Sequence, residues 1–415
     1  MPRRGAKLLG HRRDYSRTSL ARTRIHQEDG RQSPYHAHLY VESARMDSGP
    51  LPGTGRGQRA VSASNLVPRR APFEARFGTL RVANRKGGFM KVRTIAATVT
   101  AVVMAWLPAA ASFASDVCDR TCLTGLVDKY LAALVAHDPS QLPLARVVRF
   151  TENGQELRLG DGLWGTATAP GKYRLYVADP EDGQVGLYGT VIEGDNPVLM
   201  ALRLKVDYGL ISEVETIVVR SGGTQNFPPA GKTMEEKGTP RPQFLRTLPA
   251  AERMSRQDLV KVANSYFTGL GGNTGRNTAP FAPTCLRWEN GVQTNSNPNM
   301  QRPDNGGFNV LALGCEDQQK SGFFSFVTTI RDRRFPVVDR ERGLVLAFGF
   351  FDHNGRLKEL HLTNGQTTPS PVHAPSTLEI SELFQIDKGK IDQVEAVLQS
   401  VPYGMRSAVW DLTGE

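Results

Sequence analysis

LKVDYGLISEVE (204–215) and FQIDKGKIDQVE (384–395) are two copies of one phrase. At an offset of 180, Asp207 falls on Asp387, Gly209 on Gly389, Ile211 on Ile391, Val214 on Val394 and Glu215 on Glu395, five identities within nine positions. Each copy alternates apolar and polar residues about a central turn, as an antiparallel hairpin with one buried face requires. A unit that recurs at a fixed offset is a duplicated domain. Upstream, Leu126-Val127 and Glu152-Asn153-Gly154 find counterparts in Leu259-Val260 and Glu289-Asn290-Gly291, with a few residues added in the second copy.

Outward from the first phrase, short apolar runs bounded by Gly, Asp and Pro predict strands at Val147–Phe150, Lys172–Val177, Val185–Ile192, Val198–Val206 and Ile211–Val219. Around the second, strands are predicted at Phe323–Ile330, Gly343–Phe351, Leu357–Thr363, Leu378–Ile386 and Ile391–Ser400. An amphipathic helix precedes each set, at Cys122–Ala136 and at Ser255–Leu270, the second opened by Ser255 and Asp258 in near capping-box spacing. Residues 271–310, rich in Asn, Gly and Pro, read as a surface excursion, and the Pro-rich stretch 221–254 as a linker. The domain plan is therefore 115–220, linker 221–254, 255–405, and a tail 406–415.

The 415 residues carry 51 Lys+Arg against 41 Asp+Glu, a net charge of +10. That excess sits in front of the repeats. Residues 1–89 hold 18 basic and 6 acidic side chains and no amphipathic period. Met90-Lys91-Val92-Arg93, the apolar run Ile95–Leu107 and the small residues Ser112 and Ala114 then have the make-up of a secretory signal peptide, 90–114. Translation is expected to start at Met90, with 1–89 a misassigned or disordered basic extension. After Ala114 the count is 31 basic against 35 acidic, so nucleic acid is not an expected partner. No apolar run reaches the roughly 18–20 residues that a membrane-spanning helix needs, so no membrane association is expected after signal cleavage. Export predicts that Cys118, Cys122, Cys285 and Cys315 form disulfides, favoured as Cys118–Cys122 and Cys285–Cys315, over a four-cysteine zinc site whose tight spacing is missing.

The order of helix, antiparallel strands and closing hairpin, with its hydrophobic-Asp-x-Gly-Lys-Ile turn at Ile386–Ile391, resembles the NTF2-like (SnoaL-like) superfamily. With the late Val401-Pro402-Tyr403-Gly404, the whole layout also resembles secreted bacterial and fungal proteins known mainly as a domain of unknown function. The resemblance implies an α+β fold of two tandem cones, each with helices packed in a curved antiparallel sheet and an apolar pocket at the open end. It further implies a small apolar or aromatic ligand, cofactor-independent isomerase, dehydratase or lyase chemistry or, alternatively, a non-catalytic binding module, and a pseudo-dimer formed within one chain.

Candidate site residues come from polar groups on apolar strand faces. Leu378, Ile380, Glu382, Phe384 and Ile386 alternate on one face, and Glu382 stands where the first copy has Leu202. A carboxylate among such neighbours is desolvated, its pKa rises, and it suits acid/base work near neutral pH. His361 and Tyr403 are candidate partners in catalysis; Arg331, Phe384 and Trp410 are candidate ligand contacts. No Gly-x-Ser-x-Gly elbow, His-Glu-x-x-His pair or Walker loop is present, so neither a cofactor nor a metal is expected.

Overall fold

The computed structural model describes residues 118–220, 228–300, 307–407 and 410. The basic extension and the signal segment lie outside the described residues. The two quoted phrases form hairpins of one build. In the first, β5 (Asn196–Asp207) turns into β6 (Leu210–Val219); in the second, β13 (Ser376–Asp387) turns into β14 (Lys390–Val401). Tyr208 and Gly209 have φ of 53° and 77°, Lys388 and Gly389 of 50° and 77°. Two consecutive left-handed residues make the type I′ turn, whose twist suits a hairpin. The ladder also slips at the same place in both, after Lys205 and after Gln385.

The remaining strands repeat in the same order. β1 (Leu144–Glu152), β2 (Gln155–Glu156), β3 (Ala167–Asp179) and β4 (Gln184–Glu193) complete a six-stranded sheet ordered β2-β1-β6-β5-β4-β3. β7 (Phe281–Glu289), β8 (Val292–Gln293), β9 (Thr329–Asp339) and β10 (Leu344–His353) complete a second, ordered β8-β7-β14-β13-β10-β9. A separate hairpin of β11 (Glu359–His361) and β12 (Thr367–Pro369) is inserted before β13. β1 runs parallel to β6 and β7 parallel to β14; the other pairings are antiparallel. The repeated Glu-Asn-Gly phrase ends β1 and β7 alike. Asn153 and Asn290 adopt positive φ, and each side chain bonds both the N–H and C=O of the neighbouring strand, at Val218 and Leu398.

The expected pair of α+β cones is corrected by this architecture. Among the described residues strand outweighs helix, in two six-stranded mixed sheets with few helices, rather than helices wrapped in curved sheets. The physical reason lies in the central strands, which are apolar on both faces and so need cover on both. Met200 and Leu202 of β5 face an inner core with α1 (Arg120–Val135), whereas Leu199 and Ala201 face a second layer. In the other sheet, Ile380 and Phe384 face α4 (Arg256–Leu270), and Leu383 and Val397 face that same second layer. One long helix covers each inner face, and the two outer faces cover each other.

The stretch 228–254 contributes to this middle layer. α2 (Ala230–Lys237) and α3 (Pro242–Leu245) insert Ala230, Met234 and Phe244 between the sheets. α5 (Cys315–Lys320) follows in the excursion. Two strand predictions are also revised. Phe323–Phe326 is a short 3-10 helix before β9, because its three phenylalanines pack into a local cluster instead of alternating. Phe281–Glu289, expected as surface excursion, is β7, its alternation disguised by Pro283 and Thr284.

Both sheets are tied by a reciprocal device. Arg120, opening α1, bonds Asp339 at the end of β9, and Arg256, opening α4, bonds Asp179 at the end of β3. Asp179 also accepts from Val338 N–H at 2.8 Å, and Asp339 from Ala178 N–H at 3.4 Å.

Candidate functional site

On the inner face of the second sheet four residues stand in register across four strands: Glu289, Ala396, Glu382 and Ala347. The equivalent line in the first sheet reads Glu152, Thr216, Leu202 and Leu187. Two leucines that fill the first core are thus replaced by a carboxyl group and a methyl. Glu382 is only 2% exposed.

Three elements bring polar groups to it. From α4, Tyr266 lies fully buried, its ring edge-on to Phe384 at 5.1 Å. From β7, the buried Arg287 places its guanidinium over the rings of Tyr266 and Phe324 at 5.6 and 5.2 Å. Its two terminal nitrogens donate to Gln318 Oε1 and Glu289 Oε1, each at 2.6 Å. Gln318 is carried by α5, and its amide donates in turn to the carbonyls of Thr294 and Val310. The disulfide Cys285–Cys315 clamps the start of α5 to β7 and so sets Gln318 opposite Arg287.

The polar demand of this cluster is not met internally. Tyr266 Oη, Glu382 Oε2, Arg287 Nε and Thr294 Oγ1 are buried without a hydrogen-bond partner. The Tyr266 phenol is near enough to the Glu382 carboxyl to lower its pKa, yet neither oxygen makes a hydrogen bond of normal geometry. Buried polar groups left in this state cost roughly 1–3 kcal/mol each, a cost that a leucine, as at Leu202 in the first sheet, would not carry.

Electrostatics follow from burial. Desolvation pushes the Glu382 carboxyl up to about 8; Arg287 pulls it down and Glu289 raises it further. Burial likewise holds the Tyr266 phenol well above its usual range, against the pull of Arg287. Burial disfavours the Arg287 charge, but Tyr266, Glu289 and Glu382 together hold its pKa above the usual value. At neutral pH the cluster therefore presents a neutral carboxylic acid, a neutral phenol and a guanidinium. Such a set can donate hydrogen bonds to an oxygen, and its acid can give up and retake a proton near pH 8.

The other candidates are placed as follows. Phe384 is buried two residues along the same face as Glu382. His361 does not share that space: it is exposed on β11, in the separate hairpin, with Nδ1 3.2 Å from Thr367 Oγ1. Leu357–Thr363 makes no ladder with β13, which removes the reason for pairing His361 with Glu382. Tyr403 is 51% exposed in the turn after β14. Arg331 is engaged internally by Asp332, Asp352 and the Met405 carbonyl. Trp410 is buried against the first sheet, its N–H donating to Thr151 Oγ1 at 3.0 Å. The cysteines pair as Cys118–Cys122 and Cys285–Cys315.

Tyr266, Arg287, Glu289 and Gln318 were not among the expected site residues. One signal pointed to Arg287 and Glu289. The match of Glu289-Asn290-Gly291 to Glu152-Asn153-Gly154, which follows a predicted strand, implies a strand ending at Glu289 and hence Arg287 on the same face. Two clefts of the described surface lie away from Glu382. One is an open groove beside Arg246, Asp387 and Lys390; the other borders Lys237, Arg241 and Trp288. Among the described residues no cluster of three or more His, Cys, Asp or Glu is arranged to hold a metal.

A family model described as a domain of unknown function, DUF8021, matches residues 252–398. That span runs from just before α4 into β14 and contains every member of the Glu382 cluster. No curated protein matches the chain.

Proposed function

We propose that this is an exported protein whose second repeat binds a small, largely apolar or aromatic organic molecule on the inner face of its sheet. In this reading Tyr266 and Glu382 donate hydrogen bonds to an oxygen of the ligand, and Arg287 holds them in place from β7. Phe384 and the aromatic rings of the excursion surround the apolar part. The first repeat, with Leu202 and Leu187 in the equivalent positions, is the scaffold. The observation that carries this is Glu382, with alanine on both sides, in a line whose equivalent positions for Glu382 and Ala347 in the first sheet are Leu202 and Leu187. Acid/base chemistry without a cofactor fits the group: Glu382, neutral below about 8, protonates one position of the ligand and retrieves a proton from another. That is the requirement of isomerisation, dehydration or lyase cleavage.

Export is supported by two disulfides, which persist in oxidising compartments. Among the described residues no helix is long and apolar enough to cross a membrane. A second reading, a non-catalytic interaction module, is favoured by one specific feature: Phe324 roofs Arg287, and Glu382 is only 2% exposed. A thermal-shift screen of aromatic and polyketide-like compounds separates the two. Binding at the proposed site predicts compounds that raise the melting temperature of the wild type and lose that effect in Glu382→Gln and Tyr266→Phe. A screen with no stabilising compound, or with shifts indifferent to both variants, favours the module.

A further inference from the structure

Thr151 of β1 and Trp288 of β7 hold equivalent positions on the outer faces of the two sheets, Thr151 beside Glu215 and Trp288 beside Glu395. At both positions an indole lies under cations, but only one strand carries the indole itself. Trp288 has Lys237 Nζ over its ring at 3.8 Å and the Arg241 guanidinium at 4.7 Å. Thr151 has no ring, and the indole there comes from the far end of the chain. Trp410 donates its N–H to Thr151 Oγ1 at 3.0 Å and lies under the guanidinium groups of Arg203, Arg149 and Arg334 at 4.6, 5.4 and 5.5 Å. Only 9% of Trp410 is exposed.

The walls of this slot are fixed by contacts that do not involve Trp410. Arg203 of β5 donates to Glu215, Glu213 and Gln184, each within 2.9 Å. Arg149 of β1 donates to Glu213 at 2.7 Å, and Arg334, which comes from β9 of the second sheet, donates to Glu215. Each guanidinium is therefore held at its edge by a carboxylate, and its flat face, which has no N–H to offer, is left to be covered by a ring. On the floor the Thr151 hydroxyl supplies one acceptor. A slot with cationic walls and a single acceptor fits a flat aromatic that carries an N–H. The tail that fills it crosses from the second repeat to the first: Arg331 of β9 donates to the Met405 carbonyl, and Gln155 Nε2 lies 3.3 Å from Met405 Sδ.

We propose that the slot over Thr151 is an aromatic-binding site of the first repeat, suited to an indole, and that Trp410 is its internal ligand. The small Thr151 makes the room, whereas in the second repeat the strand's own Trp288 takes the ring's place. Tethering gives Trp410 an effective concentration on the order of millimolar, so a free aromatic competes poorly while the tail is docked. Because Arg334 belongs to the second sheet, the docked indole also joins the two repeats. The inference is independent of the function proposed for the Glu382 cluster.

The test is calorimetric titration of Trp410→Ala and of the wild type with free indole, alongside thermal melts. Trp410→Ala is expected to melt lower than the wild type, to bind indole saturably and to regain most of its melting temperature when indole is bound. Indole binding to the wild type is expected to be about tenfold or more weaker. 1-Methylindole, which has no N–H for Thr151, is expected to bind the variant about fivefold more weakly than indole, and that difference disappears in Trp410→Ala/Thr151→Val. Adding Glu382→Gln to Trp410→Ala is expected to leave indole binding unchanged, which separates the slot from uptake at Glu382. If Trp410→Ala does not fold unaided, refolding decides: folded protein recovered with indole and not with cyclohexanol supports the proposal, and no recovery with either contradicts it. No saturable binding of indole to Trp410→Ala, or equal binding in variant and wild type, overturns it.

Discussion

Glu382 has two consequences that pull against each other. In the folded chain its carboxyl is held up to about 8, and in an unfolded chain it returns to about 4.5. Between those values the folded state binds the extra proton, so its contribution to stability is full below about 4.5 and is lost as pH rises through 8. Glu379, on the outer face beside Glu215, is raised by burial to about 8 and acts in the same direction. His353 acts oppositely: burial lowers its imidazole to about 4, and its contribution is lost as pH falls through that value. Denaturant titrations from pH 5 to pH 8 are therefore expected to show stability falling, with a smaller fall in Glu382→Gln, by on the order of a few kcal/mol. Equal slopes in the two proteins would mean that Glu382 is not held neutral. Half of this was legible from Leu202 and Glu382 aligning across the repeat. Of the partners, Tyr266 reads as an ordinary helix-core aromatic, and Arg287 was signalled only by the repeated Glu-Asn-Gly phrase, in a stretch whose composition imitates a loop.

Among the elements, β7 and α5 decide whether the cluster exists. Neither is strongly apolar, and α5 has six residues, too few to be stable alone. The disulfide Cys285–Cys315 supplies what local propensity lacks by closing a loop of 30 residues, worth about 3–4 kcal/mol in the chain-entropy model. The four-residue span Cys118–Cys122 is worth about 2 kcal/mol on the same basis. Removing both members of the longer bridge is expected to lower stability about twice as much and, unlike the shorter one, to release Gln318 from Arg287. Hydrogen exchange checks this: amides of 294–300 and 307–320 lose protection in Cys285→Ala/Cys315→Ala and keep it in Cys118→Ala/Cys122→Ala. Hairpins β5–β6 and β13–β14 were readable because period-two alternation flanked an Asp-x-Gly turn. Phe323–Phe326 was misread because a run of three phenylalanines carries no period, and only tertiary packing turns it into a 3-10 turn under the β11–β12 hairpin.

At the scale of the molecule, two copies of one unit bury their outer faces in each other, with reciprocal polar ties at Arg120–Asp339 and Arg256–Asp179. Both aspartates are fully buried in their side chains, so losing one removes the buried partner of an arginine and leaves a backbone N–H without its acceptor, while Arg120 keeps Glu341 and Arg256 keeps Asp182. Asp339→Ala is expected to cost about 2–4 kcal/mol, and Asp179→Ala to cost a comparable amount. Chemical denaturation of each checks this, and a cost below experimental error in both would show the sheets held by apolar contact alone. The duplication was visible in the sequence. The mode of pairing was not, because alternation says that a strand has two apolar faces without saying which partner covers each, and that ambiguity produced the expectation of cones.

The two repeats also provide the control for the central claim, that the second has exchanged core stability for a binding site. Glu382→Leu gives the second sheet the residue of the first. Its melting temperature, measured beside the wild type with and without the best ligand from the screen, tests the claim most directly. A higher melting temperature for the free variant together with loss of the ligand-induced shift is the predicted result. A lower melting temperature with the ligand shift intact would contradict it and make Glu382 a structural residue.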